Sequence, residues 1–352
     1  MAGIYVHFPF CASRCIYCDF YSRVRNDWTA YVEALVKELS ANGEFFRGVP
    51  PATLYFGGGT PSLLPAGELN KVSDAARNVF GVAQFEEFTL EANPDDVNPS
   101  SAQAWRKMGV TRVSMGVQSF DDAHLKWMNR RHTSSQVAEA VKALRSAGIG
   151  DVSIDLIFGF TGLSDEQWDD NISKALSLAP EHISCYQMTG RYSHPSEELC
   201  FSQYARLQDR LSEAGYQQYE VSNFCLEGHE SRHNSGYWNR SAYLGVGAAA
   251  HSFDGERFRR WNLADIDKYV GGAAPIEESL TDEECIEEIL MLGLRTAAGV
   301  DLNLIPEDYR EKMKPALNHM TRTGSVSMSG SRIRIPCGKL FISDWIVGQI
   351  IV

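Results

Sequence analysis

Residues 11–18 read Cys11-Ala12-Ser13-Arg14-Cys15-Ile16-Tyr17-Cys18, three cysteines spaced C-x3-C-x2-C straight after the β-prone run Ile4-Tyr5-Val6-His7. The chain has eight cysteines in 352 residues, and the other five (Cys185, Cys200, Cys225, Cys285 and Cys337) stand alone. A disulfide framework needs paired cysteines and an oxidising compartment, and this pattern suggests neither. Structural zinc takes four ligands, commonly as two spaced pairs, and there is no second pair. His7 could complete a zinc site, but it falls inside the preceding strand. Three thiolates suit a [4Fe–4S] cluster whose fourth iron stays open. Cys11, Cys15 and Cys18 are therefore the candidate metal ligands. An open iron can take a small molecule through its amine and carboxylate, as S-adenosylmethionine (SAM) does.

Outward from this motif the chain alternates strand-like and helix-like segments. Strands are predicted over residues 4–7, 53–56, 88–91, 112–117, 152–158, 182–188 and, last and short, 218–222. Trp28, Tyr31, Val32, Leu35, Val36 and Leu39 recur at helical spacing on one apolar face, with Asp27 placed to cap that helix. Further helices are predicted over 66–80, 100–108, 165–178 and 198–213, and one ending at Gly148. Six or so β–α units imply an α/β fold, a partial (β/α)6-type barrel with the chemistry at the C-terminal ends of its strands. After about residue 265 the pattern changes to helices over 282–295 and 306–321, a hairpin around Ser329-Gly330-Ser331, and a final helix over 343–350. The expected organisation is a barrel domain over 1–264 and a small winged-helix-like module over 265–352.

Composition narrows the function. A net charge of −12 argues against a broad nucleic-acid footprint. Arg332, Arg334 and Lys339 on the hairpin module are the only hint of one, and a packing domain with a solvated hairpin explains them better, so no nucleic-acid partner is expected. No run of about 18 apolar residues is present, so no integral membrane segment is expected. Met1-Ala2-Gly3-Ile4-Tyr5 has neither a basic start nor a cleavage pattern, so a cytoplasmic location is expected.

Ile4 through Phe20 resembles the radical SAM proteins related to oxygen-independent coproporphyrinogen III oxidase, and among them the heme-chaperone branch, HemW. The resemblance runs from residue 3 to about 300, and more faintly beyond. It implies a [4Fe–4S] cluster and SAM as cofactors. Phe56-Gly57-Gly58-Gly59-Thr60-Pro61 looks like the family's glycine motif, which receives the amino end of SAM through Gly58, Gly59 and Thr60. Tyr5, Glu91, Gln118, Arg130 and Asp155 match its SAM-contacting positions, and Tyr17 lies between two cluster ligands. On the residues alone, Glu91 or Asp155 could equally cap a helix, Gln118 satisfy a buried backbone group, and Arg130 be an ordinary surface arginine.

Downstream, His233-Asn234-Ser235-Gly236-Tyr237-Trp238 matches a motif of the heme-chaperone branch. His233, Asn234, Tyr237 and Trp238 are accordingly heme-binding candidates, with imidazole for iron and rings for the macrocycle. The alternative is a hydrogen-bonded core histidine among packing aromatics. His251 reads as structural. Two features separate the chaperones from the oxidases. The oxidases carry another cysteine two residues after the third cluster ligand, where this chain has Phe20, and an extension before the first strand, where this chain has ten residues before Cys11. The implied function is a heme-binding chaperone that passes heme to a respiratory membrane protein, with the cluster promoting a homodimer. The alternative is a radical SAM enzyme acting on a tetrapyrrole. Two segments depart from the chaperone pattern: Gly159-Phe160-Thr161-Gly162-Leu163 and Gly190 to Pro195.

Overall fold

The computed structural model describes residues 1–189 and 193–351. Its first half is a run of β–α units: β1 (Gly3–Phe8), α1 (Thr29–Ala41), β2 (Thr53–Gly58), α2 (Ala66–Phe80), β3 (Glu87–Ala92), α3 (Pro99–Met108), β4 (Arg112–Gln118), α4 (Asp122–Trp127), α5 (Ser134–Ser146), β5 (Asp151–Phe158), α6 (Asp165–Ser177), β6 (His182–Gln187) and α7 (Glu197–Glu213). Local chemistry sets the boundaries. Asn98 caps α3 in a reciprocal box with Ser101, with Pro99 in the first turn. Ser164 and Gln167 do the same for α6. Gly81, at φ +66°, ends α2 in the left-handed conformation that costs glycine least. Asp27 does not cap α1. Its carboxylate is taken by Arg25, and Trp28 occupies the cap position without a side-chain bond.

The chain then forms the short strands β7 (Gln217–Gln218) and β8 (Asn223–Cys225), the helix α8 (Arg232–Trp238) and β9 (Tyr243–Val246). β9 pairs parallel to β1, on the side away from β2. β10 (His251–Phe253), β11 (Phe258–Trp261) and, after α9 (Ile266–Val270), β12 (Ile276–Ser279) add on antiparallel. The sheet order is β12-β11-β10-β9-β1-β2-β3-β4-β5-β6-β8-β7. Seven neighbouring strands are parallel, and the two ends do not pair, so the sheet is curled but open. The predicted single strand over 218–222 is instead the antiparallel pair β7 and β8, and β9 to β12 were not anticipated.

Side chains along the parallel strands alternate strictly. Ile4, Val6, Phe8, Leu54, Phe56, Phe88, Leu90, Val113, Met115, Ile154 and Leu156 point to the helices and are fully buried in one core. Tyr55, Glu91, Arg112, Ser114, Gln118, Asp155, His182 and Ser184 point the other way and line an interior cavity of about 480 Å³. A closed barrel packs this face with branched apolar residues. Here it is polar, and the interior is a chamber rather than a core.

The C-terminal part has its own core, including Ile286, Leu290, Met313, Leu317, Ile333 and Ile346. It comprises α10 (Asp282–Gly293), β13 (Val300–Asp301), α11 (Glu307–Arg322), β14 (Ser327–Ser329), β15 (Arg332–Arg334) and α12 (Ser343–Ile350), with strand order β13-β15-β14. The first core claims Ile266 and Tyr269, and the large sheet runs on to Ser279. The division of the chain therefore sits better near residue 280 than at 264. The two parts are stitched by Val221 N donating to Arg295 O (3.0 Å) and Ala297 N to Tyr219 O (2.9 Å).

Candidate functional site

The three cysteines leave the C-terminal end of β1 on a loop fixed at several points. Cys11 N donates to Arg23 O (3.0 Å), Ile16 N to Met128 O (3.3 Å), and Asn129 Nδ2 to Arg14 O (2.8 Å). All three cysteines and Tyr17 line the interior cavity. Thr60 Oγ1 lies 3.5 Å from Cys11 Sγ and Arg130 Nη1 lies 3.4 Å from Cys15 Sγ, each with its proton directed at sulfur. Among the described residues no three His, Cys, Asp or Glu side chains converge on one metal ion. Cluster thiolates each bind a different iron around a larger body, so they do not converge on one point. Donors aimed at two of the sulfurs, beside an open cavity, fit such a cluster. His7 is no fourth ligand: its Nε2 meets Tyr21 O at 2.8 Å and its Nδ1 meets Tyr5 OH at 3.0 Å. Burial lowers its pKa to about 4.

The glycine turn follows β2. Gly58 has φ +109°, and a Cβ there would lie 2.5 Å from the His7 ring. Glu91 at the end of β3 holds this turn: one oxygen accepts from Gly58 N (3.0 Å) and the other from Tyr55 OH (2.8 Å). Burial pushes the Glu91 carboxyl up to about 7, against the hydrogen bonds from Tyr55 and Gly58. Gln118 ends β4 at φ +68°, where the β4–β5 register shifts, an unusual conformation for a side-chain-bearing residue. Arg130 Nη2 reaches Asn93 Oδ1 (2.5 Å) and the Gly116 carbonyl while Nη1 faces Cys15. A Cβ on Gly116 would lie 3.1 Å from that guanidinium, so the glycine keeps the arginine's path open. Gly116 was not singled out from the sequence, although a glycine inside a strand is itself a sign of close approach. Asp155 accepts from Ser114 (3.0 Å) and Ser153 (3.1 Å), and burial raises its pKa.

The cavity thus gathers Cys11, Cys15, Cys18, Tyr17, Gly58, Gly59, Thr60, Glu91, Gln118, Arg130, Asp155 and Asn234. Tyr5 is not among its lining residues, since its hydroxyl is committed to His7. The other heme candidates do not share one surface. His233 is 4% exposed, with Nδ1 on Thr53 Oγ1 and Nε2 on Tyr237 OH, both at 2.8 Å. Both ring nitrogens are used, and burial lowers its pKa to about 3. Thr53 begins β2, so His233 and Tyr237 plug the N-terminal end of the barrel, opposite the cysteines. Trp238 opens onto a second cavity, at the seam with the C-terminal part. Of the two atypical segments, Gly159 to Leu163 forms a turn tied by Gly159 N to Gln203 Oε1 (3.0 Å). Gly190 to Tyr192 lie outside the described residues.

Known proteins share this architecture. Residues 5–175 match the radical SAM superfamily model, and residues 280–337 match the HemN C-terminal domain. The solved coproporphyrinogen III oxidase HemN from Escherichia coli superposes with a TM-score of 0.86 at 21% identity, covering 100% of this chain and 90% of that one. The curated heme chaperone HemW of Synechocystis is 33% identical across 91% of this chain and 84% of its own length. That of Lactococcus lactis is 36% identical across 88% and 84%. The chain belongs to the radical SAM superfamily and, within it, to the family of the heme chaperone HemW. The family implies a [4Fe–4S] cluster and SAM, and the sulfur-directed donors and glycine turn suit both. When bound, such a cluster supplies the electron that cleaves the sulfonium of SAM. This chain's own part is to present three thiols, direct Arg130 and Thr60 at sulfur, and hold the glycine turn through Glu91.

Proposed function

We propose that this protein is a heme-binding chaperone that passes heme to a respiratory membrane protein, with Cys11, Cys15 and Cys18 holding a SAM-coordinated [4Fe–4S] cluster of structural or regulatory role. The observation that carries the reading, beside the relatives named as heme chaperones, is Phe20. It stands two residues after Cys18, lines the mouth of the cavity and is 71% exposed. A ring there offers a macrocycle an apolar face and offers a porphyrinogen no thiol. Among the heme candidates the reading favours Asn234 and Trp238, which face cavities, and assigns His233 and Tyr237 to the barrel plug. The protein works in the cytoplasm on this reading, and pairing of two copies through the cluster side fits it. Among the described residues no helix is long and apolar enough to cross a membrane.

A second reading, a radical SAM enzyme acting on a tetrapyrrole, draws support from the SAM-side residues converging on one cavity. One anaerobic experiment separates the two: the reconstituted protein with SAM, reductant and coproporphyrinogen III, run beside a heme titration. Heme binding without porphyrinogen-dependent 5′-deoxyadenosine is the expected result. Repeated turnover would make the protein an oxidase. Cys15→Ser should abolish the cluster's absorption near about 410 nm, the region of thiolate-bound iron–sulfur charge transfer. Retained absorption would refute the ligand assignment.

A further inference from the structure

The polar lumen extends well beyond the cluster side. Arg112 opens β4 and Gln118 closes it, so about 20 Å of strand at roughly 3.3 Å per residue separates the floor from the mouth. At the floor, Arg112 is 3% exposed. Its Nη1 donates to Asp151 Oδ1 (2.9 Å) and to the His229 carbonyl (3.5 Å). Its other two nitrogens make no hydrogen bond among the described residues, yet neither is sealed from the cavity that Arg112 lines. Asn234 lines the same cavity, and its side-chain amide is likewise uncommitted. The two belong to one region: Arg112 interacts electrostatically with Glu87, and Glu87 accepts from Arg232 N and His233 N at the start of the helix that carries Asn234.

The nearby acids are already engaged. Glu87 accepts from Arg232 N (2.8 Å), His233 N (3.0 Å) and Ser231 Oγ (3.4 Å). Asp151 accepts from Arg112 and lies 3.3 Å from His229 Nδ1. Asp155 accepts from Ser114 and Ser153. What remains free is half a guanidinium and an amide. A guanidinium presents paired N–H groups that match a carboxylate bidentately, and a buried uncommitted donor is costly unless a ligand or water meets it.

We infer that the floor of the lumen binds a small carboxylic acid, held by Arg112 and Asn234 with its chain directed up the lumen. This site is distinct from the cysteine side, and the inference does not rest on heme binding.

The test uses the full, cluster-loaded chain and three probes of equal size: butyrate, butyramide and butylamine, titrated by calorimetry with saturation-transfer NMR alongside. Butyrate should bind saturably and at least about tenfold more tightly than the other two, a difference of about 1.4 kcal/mol. Asn234→Leu keeps the branched shape and removes the amide, and should lose that preference. Arg112→Lys should weaken butyrate as well; if it does not fold, Asn234→Leu decides alone. Equal binding of the three probes, or butyrate binding unchanged in Asn234→Leu, would each overturn the inference.

Discussion

At the scale of single residues, the site depends on side chains whose partners are fixed from several strands. Gly116 is the clearest case. Replacing it by Ala places a methyl against Gln118 Nε2 (2.9 Å) and the Arg130 guanidinium (3.1 Å). Overpacking of this kind costs about 1–3 kcal/mol. Gly116→Ala should lower Tm and weaken SAM binding in equilibrium dialysis, because Arg130 can no longer reach both the carbonyl and Cys15. Unchanged SAM affinity would show that Arg130 needs no such path. His233 offers a second test. Its folded pKa of about 3 lies below the ordinary value of 6.5. The unfolded chain therefore binds the proton first as pH falls, and stability is lost between 6.5 and 3, by about 2 kcal/mol at pH 5. His233→Gln should make the fall in Tm between pH 7 and 5 shallower. An equally steep fall would mean that the imidazole is not held neutral in the folded protein.

At the scale of elements, α8 matters most, because a seven-residue helix closes the barrel. Such a helix has little stability of its own and is held by its surroundings. Glu87 on β3 meets its first backbone N–H groups at 2.8 and 3.0 Å, the favourable end of the helix dipole for a carboxylate. Glu87→Ala should cost about 1–2 kcal/mol and speed amide exchange in residues 232–238 before other segments. Exchange unchanged there would place the helix's stability elsewhere. The β–α alternation was legible because the strands are separated by helices with clear apolar faces, several of them capped by side chains. β9 to β12 were not, because they are short, lack intervening long helices and pair in sequence outward from the edge of β1, β9 on β1 and each later strand on the one before. Asp27 was misplaced because an adjacent arginine outbid the helix for its carboxylate. That the three cysteines, the glycine turn, Glu91, Gln118, Arg130 and Asp155 share one cavity was legible from spacing and order, whereas the bonding of both His233 ring nitrogens needed the third dimension: Thr53 and Tyr237 meet it from different elements. The polar alternation in β4 and β5, Arg112-Ser114-Gly116-Gln118 against Val113-Met115-Val117, could have announced the chamber, since a parallel strand buried on both faces reads as continuously apolar.

At the scale of the whole molecule, the seam between the two parts carries a buried acid. Glu220 is 0% exposed, its Oε2 accepts from Ser222 N (3.1 Å), and its Oε1 has no partner among the described residues. Burial pushes its carboxyl up to about 7. The folded state thus keeps a proton that the unfolded chain has released, and this contribution, full below about 4.5, is lost as pH rises through 7. Its backbone bridges Thr296 across the seam, so raising pH from 6 to 8 should accelerate exchange in residues 219–221 and 295–297. Glu220→Gln should remove that dependence, and persistence of the dependence would exclude Glu220 as its source.

The plug of His233 and Tyr237 has one more consequence. The base of the lumen is filled by rings, while its mouth is edged by the cysteine loop and the exposed Phe20. Seen from that mouth, the loop that carries the cysteines is the first part of the chain a guest meets, and the polar floor is the last.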